Sequence, residues 1–170
     1  QSGCDATLKA MNRKYDTARF YEAMQLLRKH FPDCGLTCDV IVGFPGESEQ
    51  HQTETLEFLK KARFCDAHIF PYSRRPGTPA DKMDGQLDRA TKAKRSKQAQ
   101  TVVAETRDEF LRSMIGKTLP VLFETKHGKG WLGHSDNYLE VMAEGEELRG
   151  TVRNVSIHAV SDGILVGNVI

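Results

Sequence analysis

The stretch Cys38-Asp39-Val40-Ile41-Val42-Gly43-Phe44-Pro45-Gly46-Glu47 decides the fold of the first half of the chain. It begins as a mostly apolar run and breaks at two glycines and a proline. Such a run predicts a strand that is buried on both faces, as in parallel sheets. In α/β folds, ligands bind at the carboxyl ends of strands, and small residues there let a ligand approach the backbone. Residues 43–47 are therefore predicted to border a small-molecule site.

Helices and strands alternate around this stretch. Asp5, Asp16 and Ser48 each precede a helical pattern and are suited to cap a helix. Residues 36–43 and 67–72 read as two buried strands, with a helix between them. This alternation predicts βα units of a parallel sheet over residues 1–85.

The second half of the chain has a different pattern. Residues 86–113 contain no glycine or proline and only a narrow apolar stripe, which predicts a bridging helix. In residues 114–170, short runs rich in β-branched and aromatic residues alternate with turn residues, which predicts a small all-β sandwich or barrel. These runs are Thr118–Thr125, Trp131–His134, Tyr138–Met142, Leu148–Val155 and Ile164–Val169.

Composition excludes some function classes. The formal charge of +1 does not indicate a nucleic-acid binder, and no apolar segment is long enough to span a bilayer. No secretory signal is visible, so a cytoplasmic location and no membrane partner are expected. Residues 89–97 form a basic run without acidic residues. This run is interpreted first as a solvated helix face and second as part of a positively charged surface that attracts RNA.

The cysteines are interpreted as free thiols. Cys34 and Cys38 have C-x3-C spacing, but no third cysteine follows within a few residues, so a four-sulfur site cannot be assembled locally. The six histidines show no metal-ligand spacing. No metal site is predicted within this chain.

Several segments occur in the order found in one known family. They are Gln1–Asp5, Met11–Arg13, Asp39–Glu47 and Tyr72–Thr78. Together they resemble the radical S-adenosylmethionine methylthiotransferases, and the β-rich tail resembles their TRAM domain, a small barrel that binds RNA. Within the tail, residues 133–141 look most like the subfamily that acts on N6-threonylcarbamoyladenosine, a base beside the anticodon of some tRNAs.

The resemblance implies an α/β fold: the C-terminal βα units of a partial TIM-like radical SAM barrel, then the bridging helix and the TRAM barrel. It implies methylthiolation of C2 of that tRNA base, with S-adenosylmethionine and two [4Fe-4S] clusters as cofactors and the tRNA anticodon loop as partner. The family's cluster cysteines are expected upstream of Gln1 and are absent from this chain. The chain alone is therefore expected to be inactive, and it carries no assigned catalytic residue.

The resemblance also suggests contact residues. The expected contacts to S-adenosylmethionine are Ser2, Asp5, Arg13, Ile41, Gly43, Glu47, Phe70 and Tyr72. The expected contacts to RNA are Arg74, Arg75, Lys126, Lys129, Trp131, Tyr138 and Arg153.

Three alternatives remain open from the residues. The chain is an RNA-binding module without catalysis, a methylthiotransferase for isopentenyladenosine in tRNA, or one for a ribosomal protein. Unpaired strand edges in the first half also predict an edge-strand dimer.

Overall fold

The computed structural model describes all 170 residues, which divide into two units. Unit 1 comprises residues 1–32 and 36–107, and the barrel unit comprises residues 33–35 and 108–170. The elements of unit 1 are α1 (Asp5–Ala10), α2 (Thr17–His30), β1 (Thr37–Val42), α3 (Glu49–Ala62), β2 (Asp66–Pro71), a short 3₁₀ helix (Pro79–Lys82) and most of α4 (Arg89–Arg112).

Two of the three predicted helix caps are confirmed. Asp16 Oδ1 accepts the amide of Arg19 at 2.8 Å, and Ser48 Oγ accepts the amide of His51 at 3.1 Å. The expected cap at Asp5 is wrong, because Cys4 occupies the N-cap position of α1 without a side-chain bond. Asp5 is the first helical residue, and its carboxylate accepts the amide of Thr17 at 2.8 Å.

Strands β1 and β2 pair in parallel, from Thr37 opposite Asp66 to Val42 opposite Pro71. Helix α3 makes the connection between them, as the alternation of elements predicts. Gln1 O accepts the amide of Ile41 at 2.9 Å, so the first residues run beside the other edge of β1. The edge-strand dimer stays a prediction.

The expected burial of β1 on both faces is wrong. Val40 and Val42 are buried in the core of unit 1 with Leu59 and Phe64, whereas Asp39 and Ile41 point to the opposite face and border a cavity. β2 is also more open than expected, since the side chain of Phe70 is 51% exposed. One face of this sheet packs against helices and the other faces open space.

The barrel unit contains β3 (Thr118–His127), β4 (Gly130–Ser135), β5 (Glu140–Glu144), β6 (Val152–Ser161) and β7 (Ile164–Val169). These strands close into a barrel in the order β3-β4-β5-β7-β6, which confirms the expected small all-β barrel. All neighbouring pairs are antiparallel except β5 and β7, which run parallel. The core residues at the centre include Phe123, Val121, Val141 and Val155, each fully buried.

Two strands of the barrel differ from their predicted positions. The run Tyr138–Met142 was expected to be a strand, but β5 spans Glu140–Glu144, and β6 differs more. The run Leu148–Val155 was expected to be a strand, but β6 begins at Val152. Residues 147–151 form turns instead, with positive φ at Glu147 and Gly150 and a bond from the Thr151 hydroxyl to the Leu148 carbonyl at 2.7 Å. Leu148 is buried in the barrel core from this turn rather than from a strand.

Helix α4 is continuous over 24 residues. Its start is fixed by Asp88, whose carboxylate accepts the amide of Thr91 at 2.8 Å. Residues up to Arg107 are counted with unit 1 and those from Asp108 with the barrel unit. Neither α4 nor any other helix combines the length and apolarity needed to cross a membrane.

Candidate functional site

A cavity of about 500 Å³ lies at the carboxyl ends of β1 and β2. This volume falls within the range of roughly 300–1,000 Å³ that small-molecule sites occupy. Its lining combines aromatic and aliphatic residues with polar ones, and it includes Ile41, Phe44, Phe70, Tyr72, Asp39 and Arg75. The position agrees with the general rule that ligands of α/β proteins bind where parallel strands end.

Two aromatic rings form one wall of this cavity. Phe44 and Tyr72 meet edge to face, with ring centroids 5.3 Å apart and an angle of 70° between the planes. The Tyr72 hydroxyl is buried and has no hydrogen-bond partner. A buried hydroxyl without a partner is unusual, because buried polar groups are normally satisfied. The Tyr72 hydroxyl therefore stays without a hydrogen bond inside the protein and does not open onto the cavity.

The turn after β1 has a backbone that only glycine adopts easily. Gly43 and Gly46 have φ angles of +71° and +76°. A Cβ atom on Gly43 would lie 2.4 Å from Cγ of Lys92, so a side chain at Gly43 has no space. Glu47 Oε1 accepts the amide of Gly43 at 2.8 Å. The carboxylate bonds to the turn itself rather than to the first amides of α3.

Arg95 holds Glu47 from helix α4. Its Nη1 donates to Glu47 O at 2.9 Å and to Glu47 Oε1 at 2.7 Å, and its Nη2 donates to Glu49 Oε1 at 2.8 Å. Burial lowers the pKa of Arg95, but the bonds to Glu49 and Glu47 outweigh burial and raise that pKa overall. The hydrogen bond from Arg95 lowers the pKa of Glu49. Both shifts favour the charged forms of Arg95 and Glu49.

Sequence reasoning missed Arg95. It belongs to the basic run 89–97, which was interpreted as a solvated face or an RNA-facing field, yet its side chain is 3% exposed. The signal that points to it is Glu47, because a carboxylate predicted beside a buried strand needs a cation. The sequence does not show which residue of the basic run supplies that cation.

The expected contacts to S-adenosylmethionine separate into three groups in the structure. Ile41, Phe70 and Tyr72 line the cavity, and Gly43 and Glu47 form the turn below it. The other three do not line this cavity: Ser2 is buried against Thr55 at 3.2 Å between hydroxyls, whereas Asp5 and Arg13 are exposed. The roles of all eight residues stay predictions.

The two adjacent arginines after β2 have different surroundings. Arg74 is occupied by Asp81, with its Nε 2.9 Å from the carboxylate and its Nη2 2.7 Å from the carbonyl oxygen. Arg75 borders the cavity, and its side chain makes no hydrogen bond or ion pair. Of the two, Arg75 is the guanidinium that is free to meet an anionic ligand.

The expected RNA contacts on the barrel are mostly exposed. Tyr138 is 89% exposed, its φ angle is +67°, and its ring centroid lies 6.0 Å from that of His134. Trp131 is half-buried, and its indole Nε1 donates to Gly145 O at 3.2 Å. Trp131 pairs across the β3–β4 hairpin with Lys126. The remaining expected contacts, Lys129 and Arg153, are exposed.

Metal-binding geometry is not found in this chain. No group of three or more His, Cys, Asp or Glu residues lies together in a way that would hold a metal ion. The four cysteines are free, and burial raises the pKa of Cys38 to about 12, which keeps it a thiol. The residues present therefore do not form a site for an iron–sulfur cluster.

Comparisons with known proteins place the chain in context. Residues 1–59 match the profile of the radical SAM superfamily. The chain is 36% identical to tRNA-2-methylthio-N(6)-dimethylallyladenosine synthase of Bartonella quintana, over 99% of this chain and 37% of that protein. It is 36% identical to threonylcarbamoyladenosine tRNA methylthiotransferase MtaB of Bacillus subtilis, over 92% of this chain and 36% of that protein. A third relative, the dimethylallyladenosine synthase of Maricaulis maris, is 39% identical over 99% of this chain and 38% of its own length.

The resemblance to radical SAM methylthiotransferases is thereby confirmed. The similarity extends through nearly all of the chain, including the barrel unit. The chain spans little more than a third of the length of the curated relatives it matches.

Proposed function

We propose that this chain is part of a tRNA methylthiotransferase that uses S-adenosylmethionine. The observation that carries the proposal is the cavity at the ends of β1 and β2, in unit 1, whose first 59 residues match the radical SAM superfamily. The barrel unit, with its exposed Tyr138, supports RNA as the partner, because small barrels bind single-stranded RNA by stacking bases on aromatic side chains. A tRNA substrate also favours the cytoplasmic location expected from the sequence.

The residues of the cavity fit S-adenosylmethionine. Ile41 and Phe70 offer apolar surface to an adenine ring, and Tyr72 borders the same cavity. When bound, S-adenosylmethionine supplies hydrogen abstraction and the methyl group, so the protein has to hold it in position and exclude water. Gly43 keeps the turn narrow, and Glu47 holds its amide in place.

The two iron–sulfur clusters that the family implies do not fit residues of this chain. No three potential ligands lie together, so no step at a cluster is assigned to its side chains. We propose that the clusters belong to the full-length enzyme and that the 170-residue chain alone does not turn over.

For the substrate, we propose N6-threonylcarbamoyladenosine beside the anticodon. The likeness of residues 133–141 to that subfamily supports this assignment, as does the similarity to MtaB. Dimethylallyladenosine in tRNA is the second candidate, because the Bartonella and Maricaulis relatives carry that name and are similarly close in identity.

The test is mass spectrometry of tRNA nucleosides from a strain deleted for the gene. Loss of 2-methylthio-threonylcarbamoyladenosine, with the unmethylthiolated base accumulating, is the expected result. Loss of the 2-methylthio derivative of the dimethylallyl base would move the assignment to the second candidate. Unchanged levels of both nucleosides would refute a tRNA methylthiotransferase.

The two arginines after β2 offer a matched test of tRNA contact. Arg75→Ala is expected to weaken tRNA binding and to lower the slope of log affinity against log salt by about 1, as removal of one phosphate contact does. Arg74→Ala is the control, because Asp81 already occupies that guanidinium. Filter binding between roughly 50 and 200 mM salt measures both slopes. Equal slopes for Arg75→Ala and the wild type would contradict the contact.

A further inference from the structure

Helix α4 reaches both strand ends that border the cavity. Lys92 Nζ donates to Tyr72 O at 3.1 Å, at the end of β2. One helical turn later, Arg95 donates to the carbonyl and the carboxylate of Glu47, in the turn after β1. Neither Lys92 nor Arg95 lines the cavity. The first half of α4 therefore fixes the cavity from outside.

The bonds from Arg95 continue to the backbone of the turn. Glu47 Oε1, which accepts from Arg95 Nη1 at 2.7 Å, also accepts from the Gly43 amide at 2.8 Å. The side chains of Arg95 and Glu47 are 3% and 1% exposed, so water does not compete for these bonds. Gly43 directly follows the strand that carries Ile41 and precedes Phe44, two residues of the cavity wall. The guanidinium is thus linked to the Gly43 amide through one carboxylate oxygen of Glu47, and it also bonds directly to the Glu47 carbonyl.

A buried ion pair of this kind is weak evidence for stability. Removal of both charges in favour of apolar residues is often neutral or stabilising, whereas removal of one partner is strongly destabilising. Buried pairs do fix a particular conformation in some proteins. Here the conformation is that of the turn at Gly43, because Glu47 accepts the Gly43 amide and Gly43 has a φ angle of +71°.

We propose that Arg95 is a positioning residue for the S-adenosylmethionine pocket, acting through Glu47 on the Gly43 turn without touching the ligand. This inference rests on the proposed function for the identity of the ligand. The geometry of the link to Gly43 does not depend on that identity.

The chain supplies a matched control. Glu49 bonds to the same guanidinium through Nη2 at 2.8 Å, but its side chain is 70% exposed and it makes no bond to Gly43. Glu49→Gln removes one of the two charges beside Arg95 and leaves the link to the turn intact. Exposed ion pairs contribute little, so this variant is expected to bind like the wild type.

The experiment compares Arg95→Met, Arg95→Lys and Glu49→Gln in the full-length gene product. Three quantities are measured: the dissociation constant for S-adenosylmethionine by equilibrium dialysis, hydrogen exchange at the Gly43 amide without ligand, and the melting temperature. Arg95→Lys is included because lysine keeps the buried charge, so this variant stays folded if Arg95→Met does not. Lysine lacks the planar fork that serves several acceptors at once.

For Arg95→Met, we expect at least about tenfold weaker binding and about tenfold faster exchange at Gly43, each equivalent to the loss of roughly 1.4 kcal/mol. Arg95→Lys is expected to weaken binding by about threefold to fivefold with a near-normal melting temperature, since one ammonium replaces only part of the fork. Glu49→Gln is expected to stay within about twofold of the wild type.

The outcomes separate this inference from the proposed function. If the wild type binds S-adenosylmethionine and both Arg95 variants bind it equally well at temperatures where they are folded, Arg95 is only structural and the inference is overturned. Unchanged exchange at Gly43 in both Arg95 variants would overturn it as well. If the wild type does not bind S-adenosylmethionine at all, the proposed function fails, and the exchange measurement still decides whether Arg95 sets the turn.

Discussion

Replacement of Phe123 by alanine is expected to remove most of the stability of the barrel unit. The Phe123 side chain is fully buried at the centre of the barrel core. Truncation of a buried phenylalanine to alanine costs about 3–5 kcal/mol, as lost transfer energy plus the cavity left behind. A unit of about 60 residues has a total stability of roughly 3–9 kcal/mol, at 0.05–0.15 kcal/mol per residue. The loss is therefore comparable with the whole stability of the unit.

The assay follows from the position of the single tryptophan. Trp131 is the one tryptophan of the chain, and it packs against the barrel core, so its fluorescence reports on the barrel unit. Urea unfolding followed at this residue measures the free energy of unfolding of the barrel. Phe123→Leu, which removes less volume, is expected to lose about 1–2 kcal/mol and keeps the measurement possible if Phe123→Ala is unfolded in water.

The neighbouring Leu122 is the control, because it points to the opposite face of β3 and is 42% exposed. Leu122→Ala is expected to lose less than about 1 kcal/mol, since exposed positions contribute little. In thermal melts, the loss in Phe123→Ala corresponds to a fall of at least about 12 °C, at 4–8 °C per kcal/mol for a unit of this size. A loss below about 1.5 kcal/mol in Phe123→Ala, or equal losses in the Phe123 and Leu122 variants, would refute this account of the barrel core.

Three further predictions concern single residues. Gly43→Ala is expected to lower the free energy of unfolding by roughly 2–4 kcal/mol, measured by urea unfolding with circular dichroism, because the new methyl group meets Lys92 and φ is positive. Gly46→Ala, where nothing lies within 4 Å, is expected to cost only about 1–2 kcal/mol, and equal costs would contradict the clash with Lys92. Burial raises the pKa of Cys38 from 9.0 to about 12, so the alkylation rate of Cys38 is expected to keep rising up to about pH 11, and the free energy of unfolding is expected to fall as the pH rises from 9 to 12. An alkylation rate that levels off near pH 9 would disprove this. Tyr138→Gly is expected to stabilise the barrel by about 1 kcal/mol, because glycine relieves the positive φ, and to weaken tRNA binding by about tenfold, because a stacking ring is lost. Tighter binding together with higher stability, or weaker binding together with lower stability, would argue against a stacking role.

Local signals in the sequence were sufficient for much of the fold. The caps at Asp16 and Ser48 depend on residues three positions apart, and such short-range bonds are visible in the sequence. The barrel strands were predicted from turn residues at close spacing, and β7 has the predicted bounds, Ile164–Val169. β6 was placed too early, because Leu148 is apolar and buried without being in a strand. Apolar residues in turns imitate a strand pattern when they fold back onto a core.

Long-range contacts explain what the sequence did not predict in the site. The face of β1 that carries Ile41 was expected to be buried, because an apolar run does not show whether a face meets side chains or a cavity. The role of Arg95 depends on a partner 48 positions earlier, Glu47, and no periodicity reports such a pairing. The difference between Arg74 and Arg75 likewise depends on Asp81, which lies beyond the loop that contains them.

The position of β7 in the barrel has a consequence for synthesis on the ribosome. β7 lies between β5 and β6, although it follows both in the chain. Until Ile164–Val169 emerges from the exit tunnel, β5 and β6 each keep an unpaired edge, and such edges are prone to pair with other nascent chains. The barrel thus completes its folding only after nearly all of its residues have been translated. A premature stop codon before Ile164 would leave the other four strands in an open sheet. The truncated chain would then be recognised by chaperones and proteases.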